Sequence, residues 1–125
     1  MTRQAITTRS VAQPVGPFSV AVHRDGLTFL SGQVAQDPAT GALIVGDAAV
    51  QAEQILQNLT AVVEAAGKSL DDVVRVGVFL TDMNDFAAVN KVYADFFADP
   101  YPARTAIAVA ALPLGAAVEM DAIVG

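Results

Sequence analysis

The most regular hydrophobic pattern in the chain predicts a helix that begins at Ala48 and ends near Ala66. Apolar residues recur there at spacings of three and four, as they do on one face of an α-helix. Asp47 is placed to cap the first turn, and Gly67 can end the helix because glycine accepts the left-handed conformation. The apolar positions are Ala52, Ile55, Leu56, Leu59, Val62, Val63 and Ala66.

A second amphipathic stretch predicts a shorter helix from Phe86 to Phe97. Asp85 precedes it as a candidate cap, and Pro100 and Pro102 prevent its extension. Its predicted apolar stripe comprises Phe86, Val89, Tyr93 and Phe96 or Phe97.

The remaining apolar stretches predict five strands. The dipeptide Asp25-Gly26 is typical of a tight hairpin turn, so the first two strands are expected to pair. The short connection around Pro113 joins the last two. The predicted strands are Phe18–Arg24, Leu27–Ser31, Val73–Leu80, Arg104–Leu112 and Ala117–Val124.

The order of elements, ββαβαββ, indicates one α/β (α+β) domain over residues 1–125, a length suited to a single core. Two helices can cover only one face of such a mixed sheet, whereas Val73–Leu80 is apolar on both faces. We therefore expect self-association through the uncovered face, with a site that can lie between subunits.

Composition excludes several classes of partner. The net charge of −6 and the scattered positions of seven Lys and Arg residues argue against a nucleic-acid backbone or an anionic membrane surface. The longest charge-free apolar stretch, Thr105–Val118, is too short to span a bilayer, and the first residues do not resemble an export signal. We expect a cytoplasmic protein.

No sequence feature indicates a cofactor or a metal. The chain contains no GxGxxG, Walker, HExxH or GxSxG motif, no cysteine, and one histidine, His23, beside a predicted turn. A nucleotide, a flavin and a His- or Cys-ligated metal are therefore not expected.

Arg104 is the only cation in the last 34 residues, and it opens an otherwise apolar strand. Such an arginine needs an anionic partner, and its planar fork suits a carboxylate. Two interpretations stay open from the spacing alone: a salt bridge within the chain or between subunits, for instance to Glu119 or Asp121, and a site for the carboxylate of a ligand.

Glu119 and Asp121 are two positions apart on the last strand and therefore project to the same face. A partly buried carboxylate can orient water and transfer protons, although a solvated or ion-paired acid is the more ordinary explanation. Ser31 and Gly32 at the end of one strand, and Asn90 on the second helix, are further polar candidates. Ser31 lacks a base at a recognisable spacing, which disfavours a serine nucleophile.

A series of short motifs, from about Pro14 to the C-terminus, resembles the reactive intermediate deaminase A (RidA/YjgF) family in order and spacing. The resemblance implies a chorismate-mutase-like fold assembled as a homotrimer with three intersubunit sites and no cofactor. The matching motifs are Gly16–Ser19, Phe29–Gln33, Asp37–Gly41, Asn58, Ala65–Gly67, Phe86–Asn90, Tyr93, Phe96–Phe97, Pro102–Arg104 and Val118–Glu119.

The same resemblance implies a 2-iminobutanoate/2-iminopropanoate deaminase that converts enamine and imine acids, such as 2-aminoacrylate, into 2-keto acids and ammonia. Arg104 then binds the substrate carboxylate and Glu119 holds the attacking water. The cleft is lined by Ser31, Gly32, Asn90, Phe18 and Ala106, where Phe18 replaces a common tyrosine and Ala106 a common cysteine. Two alternatives are a specialised deaminase for a larger conjugated imine and a non-catalytic metabolite-binding or chaperone-like protein.

Overall fold

The computed structural model describes residues 2–125, which form a six-stranded mixed sheet and two helices. The strand order is β1-β2-β3-β6-β4-β5, and neighbours are antiparallel except for the parallel pair β4 and β5. This architecture confirms the predicted fold class and the two helices. The elements are β1 (Gln4–Ile6), β2 (Ala21–Arg24), β3 (Leu27–Gln33), α1 (Ala48–Ala65), β4 (Val73–Leu80), α2 (Phe86–Phe96), β5 (Ala103–Ala108) and β6 (Val118–Val124).

The turns and caps read from local sequence form as predicted around α1 and the first hairpin. The Asp47 carboxylate accepts a hydrogen bond from the backbone N–H of Val50 at 3.0 Å, and Gly67 adopts a φ of 77° just after the helix. Asp25 and Gly26 both have positive φ, as a two-residue hairpin turn requires.

Several predicted strand bounds are wrong, and β3 itself runs to Gln33 rather than Ser31. The strand β1 was not predicted, because its three residues have no hydrophobic pattern and form a strand only by pairing with β2. Strand β2 begins at Ala21 rather than Phe18, and β5 ends at Ala108 rather than Leu112. The limit of β5 follows from its partner, since β4 ends at Leu80, directly opposite Ala108.

The predicted cap at Asp85 also differs. Asp85 already has α-helical dihedral angles and its side chain makes no capping bond, because a 3-10 turn over Met83–Asp85 leads directly into α2. Asp82 caps that turn instead, accepting a hydrogen bond from the N–H of Asn84 at 2.9 Å.

Alternate residues of the central strands separate the two faces of the sheet. One face packs against the helices and is fully buried along Val76, Val78 and Leu80 of β4. The other, here called the open face, presents an apolar rim around two carboxylates. It includes Leu27, Phe29, Phe79, Ile107, Glu119 and Asp121.

No helix within residues 2–125 combines the length and hydrophobicity needed to cross a membrane.

Candidate functional site

Arg104 and Glu119 lie on opposite faces of the sheet. Arg104 is in register with Val76, which is fully buried under the helices, whereas Glu119 is in register with Phe79 on the open face. They also stand two strands apart, on β5 and β6, a lateral separation of about 10 Å at the usual strand spacing. A small molecule therefore cannot contact both side chains of one chain.

Within one chain, the prediction of a salt bridge between Arg104 and the acids of β6 is wrong. Both acids project from the open face, and Arg104 forms no salt bridge within residues 2–125. Its Nη1 instead donates to Oδ1 of Asn90 at 2.8 Å, so the structure brings these two predicted residues together. They border a pocket of about 330 Å³ with Tyr93, Tyr101 and Pro102.

Aromatic rings complete the surroundings of Arg104. Its Cζ lies 4.8 Å from the ring centroid of Tyr93 and 5.6 Å from that of Phe86, within the range of cation–π attraction. The hydrophobic pattern predicts Phe86 and Tyr93 as part of the apolar stripe of α2 but does not predict their contact with Arg104. Their relation to Arg104 follows from the i, i+4, i+7 spacing of Phe86, Asn90 and Tyr93, which places all three on one helix face.

Ala106 follows Arg104 by two residues on the same face of β5, an edge strand. The N–H of Val109 donates to the carbonyl of Leu80 at 2.8 Å and therefore points toward β4. The N–H groups of successive residues in a strand point alternately to its two sides, so those of residues at odd-numbered positions here face β4 and those at even-numbered positions face away. The N–H of Ala106 therefore points away from β4, toward the open edge, where it is available to a ligand.

Ser31 and Gly32 form a β-bulge that sequence reasoning did not detect. Leu30 pairs with Ala122 and Gln33 with Met120, so two residues of β3 stand opposite one residue of β6. Such a bulge redirects side chains and occurs frequently beside functional sites. Ser31 Oγ donates to the carbonyl of Ser19 at 2.6 Å, which fixes the loop that carries Phe18.

Glu119 lies against the backbone of Gly32. A Cβ atom at position 32 would come within 2.5 Å of Glu119 Oε2, so any residue other than glycine would force this carboxylate to move. Both residues border a cavity of about 520 Å³, and Phe18, 53% exposed, forms part of its wall. Burial, and secondarily the negative charge of Asp121, raises the pKa of the Glu119 carboxyl above its ordinary value.

Asp121 is held in a similar way on the other side of β6. Its Oδ1 accepts a hydrogen bond from the N–H of Gly77 at 3.0 Å, and a side chain at position 77 would overlap this carboxylate. The two acids of β6 thus each lie over a glycine of a neighbouring strand. Within residues 2–125, no three His, Cys, Asp or Glu side chains cluster in a way that would hold a metal ion.

Comparison with known proteins connects this arrangement to a described family. A family model for endoribonuclease L-PSP matches residues 8–125. A RutC family protein of Pyrococcus horikoshii is 44% identical over 97% of this chain and 96% of its own length. The mouse protein named 2-iminobutanoate/2-iminopropanoate deaminase is also 44% identical, over 97% of this chain and 90% of its own.

A solved structure shows the same fold. The crystal structure of RidA from an Antarctic Psychrobacter species is 46% identical to this chain, with a TM-score of 0.94 and 98% of each chain covered.

Proposed function

Because the chain belongs to the RidA/YjgF family, which the endoribonuclease L-PSP model describes, we propose that it is an imine deaminase acting on small 2-imino acids. Its substrates are 2-iminopropanoate, formed from 2-aminoacrylate, and 2-iminobutanoate, and its products are 2-keto acids and ammonia. The observation that carries the proposal is Arg104, a cation without an ion-pair partner in residues 2–125, at the border of a pocket of about 330 Å³.

We further propose that two chains build each site within a homotrimer. Arg104 and Glu119 of one chain are on opposite faces, so a second copy must supply the complementary group if both contact one substrate. Burial of the open face gives such an association its driving force, because Phe29 and Ile107 expose 40% and 45% of their surface there.

The reaction follows from the chemistry of these groups. Arg104 and the outward N–H of Ala106 bind the carboxylate, which orients the C=N carbon toward a water held by Glu119. Glu119 accepts a proton as the water oxygen adds to carbon, and the proton passes to nitrogen. The hydroxyl proton of the carbinolamine then passes through Glu119 to nitrogen, the C–N bond breaks, and ammonia leaves as the keto group forms.

Proton transfer and positioning are sufficient for this reaction. Protonated imines are electrophilic and add water without a metal or a covalent enzyme intermediate, so we propose a cofactor-independent enzyme. Ser31, through its bond to Ser19, holds the loop of Phe18 in place beside the cavity of Glu119.

The family description also names an endoribonuclease, and the charge of this chain argues against that activity here. RNA binding depends on Lys and Arg side chains that neutralise phosphates. This chain carries a net charge of −6, and two acids, Glu119 and Asp121, project from its open face. A small carboxylate held by one arginine is the ligand that fits.

A coupled assay tests the proposal. A threonine dehydratase generates 2-iminobutanoate in a buffer without amines, and the imine is followed by its ultraviolet absorbance with and without the protein. We expect the protein to accelerate imine loss in proportion to its concentration, with 2-oxobutanoate and ammonia formed in equal amounts. An unchanged rate would refute the deaminase and leave the non-catalytic metabolite-binding role.

One observation favours the specialised deaminase as a second candidate. The residues that border the cavity beside Glu119 include Val15, Phe18 and Leu114, which are apolar and more than half exposed. These side chains suit an imine with a larger apolar or conjugated substituent. Higher kcat/KM for an imine made from leucine or phenylalanine by an amino acid oxidase would support this candidate.

The raised pKa of Glu119 is expected to set the acid limit of activity, and the charge of Asp121 is expected to contribute to it after burial. Glu119 must be ionised to accept a proton, so activity is lost as the pH falls through its raised pKa. Asp121→Asn keeps the oxygen that accepts from Gly77 N–H but removes the like charge, which lowers the pKa of Glu119. The acid limb of the kcat/KM profile should move to lower pH, and an unmoved limb would refute this role.

A further inference from the structure

Within residues 2–125, only uncharged groups contact the guanidinium of Arg104. Asn90 accepts one of its hydrogen bonds at 2.8 Å, and the rings of Tyr93 and Phe86 lie 4.8 Å and 5.6 Å from its Cζ. We call Phe86, Asn90 and Tyr93 the neutral cradle. All three project from one face of α2, so a single rigid helix fixes their positions relative to Arg104.

The absence of an acid from the cradle is informative. A half-buried arginine is ordinarily paired with a carboxylate, and this chain has 13 acids for seven Lys and Arg residues. A carboxylate in place of the Asn90 amide would accept the same hydrogen bond while neutralising Arg104. The amide instead orients one side of the guanidinium fork and leaves the full positive charge for the pocket.

The hydroxyl of Tyr93 does not account for its position. Tyr93 is 5% exposed, and its Oη has no hydrogen-bond partner within residues 2–125. Its contribution to Arg104 is therefore made by the face of the ring, which attracts a cation without cancelling its charge.

Building on the proposed function, we propose that the neutral cradle positions Arg104 while keeping its charge uncompensated, and that this neutrality determines the affinity for substrate carboxylates. Phe86, Asn90 and Tyr93 are positioning residues in this account. The property that matters at position 90 is the absence of charge together with the presence of an acceptor.

The test compares Asn90→Asp with Asn90→Ala in the full-length protein. The probe is 2-oxobutanoate, whose binding is measured by calorimetry, alongside KM and kcat for 2-iminobutanoate. Asn90→Asp preserves shape and acceptor but adds a competing charge, so we expect its Kd and KM to rise about tenfold or more above those of wild type. Asn90→Ala should bind more tightly than Asn90→Asp, because it loosens Arg104 without neutralising it.

The split between KM and kcat separates this role from a structural one. The carboxylate is bound equally in the ground and transition states, so KM should rise while kcat stays within about threefold. Tyr93→Phe keeps the ring and should bind 2-oxobutanoate like wild type, whereas Tyr93→Leu should bind severalfold more weakly. Thermal melting of each variant establishes that it is folded. If Tyr93→Leu does not fold, the comparison of Asn90→Asp with Asn90→Ala decides whether the inference holds.

Three results would overturn the inference: Asn90→Asp binding as tightly as wild type, Asn90→Ala binding more weakly than Asn90→Asp, or no binding of 2-oxobutanoate by wild type. The proposed function fails separately. Absence of imine turnover by wild type, with the expected order of 2-oxobutanoate affinities, would refute the deaminase and retain the cradle. Turnover of the imine by wild type, together with the reverse order of 2-oxobutanoate affinities, would retain the deaminase and refute the cradle.

Discussion

Arg104→Ala is expected to lower kcat/KM for 2-iminobutanoate by about 100-fold or more. A guanidinium that binds a carboxylate with two charge-assisted hydrogen bonds contributes about 1.5–3 kcal/mol for each. The loss of both corresponds to at least about 3 kcal/mol, and 1.4 kcal/mol is a factor of ten. Initial rates of imine loss, corrected for spontaneous hydrolysis, measure the effect.

Stability distinguishes this loss from misfolding. Arg104 forms one charge-assisted hydrogen bond, to Asn90, and no salt bridge in the described chain, so its removal should lower the free energy of unfolding by about 1.5–3 kcal/mol, less than the stability of a typical domain. Arg104→Lys keeps the charge but not the fork and should fall between wild type and Arg104→Ala. A folded Arg104→Ala variant with wild-type kcat/KM would contradict the role of Arg104 as carboxylate anchor.

Local sequence predicts those parts of the fold that depend only on residues close together in the chain. The spacing of Ile55, Leu59 and Val62 predicts the buried face of α1, and all three are at most 2% exposed. The Asp25-Gly26 dipeptide likewise predicts its hairpin, because the positive φ angles needed there are a property of those two residues. These signals determine which elements form.

Local sequence was insufficient where strands from distant parts of the chain meet. The spacing around Arg104 left its salt bridge to Glu119 open, because the faces on which the two side chains project depend on how β5, β4 and β6 align. The bulge at Ser31 is also non-local, since it exists only relative to Met120 and Ala122 of β6. Strand register is set by tertiary pairing, and the candidate site is built from it.

Glu119→Gln is expected to lower kcat by about 100-fold to 10,000-fold, the range that general acid–base catalysis contributes. Glutamine has nearly the same shape and fits over Gly32, but it cannot accept the proton of the attacking water. Because Glu119 does not bind the carboxylate in our proposal, KM should change little. If kcat/KM fell by the same factor because KM rose while kcat stayed unchanged, Glu119 would be assigned to substrate binding instead.

Mixing the two inactive variants tests whether one site draws on two chains. Equal amounts of Arg104→Ala and Glu119→Gln chains, unfolded and refolded together, assemble at random. A site that takes Arg104 from one chain and Glu119 from its neighbour is then intact in about a quarter of cases, so about a quarter of wild-type activity should return.

A mixture of Arg104→Ala with the double variant Arg104→Ala/Glu119→Gln has no intact site and sets the background. If both groups of one chain served one site, the first mixture would show only that background, and the opposite faces of Arg104 and Glu119 would require another explanation.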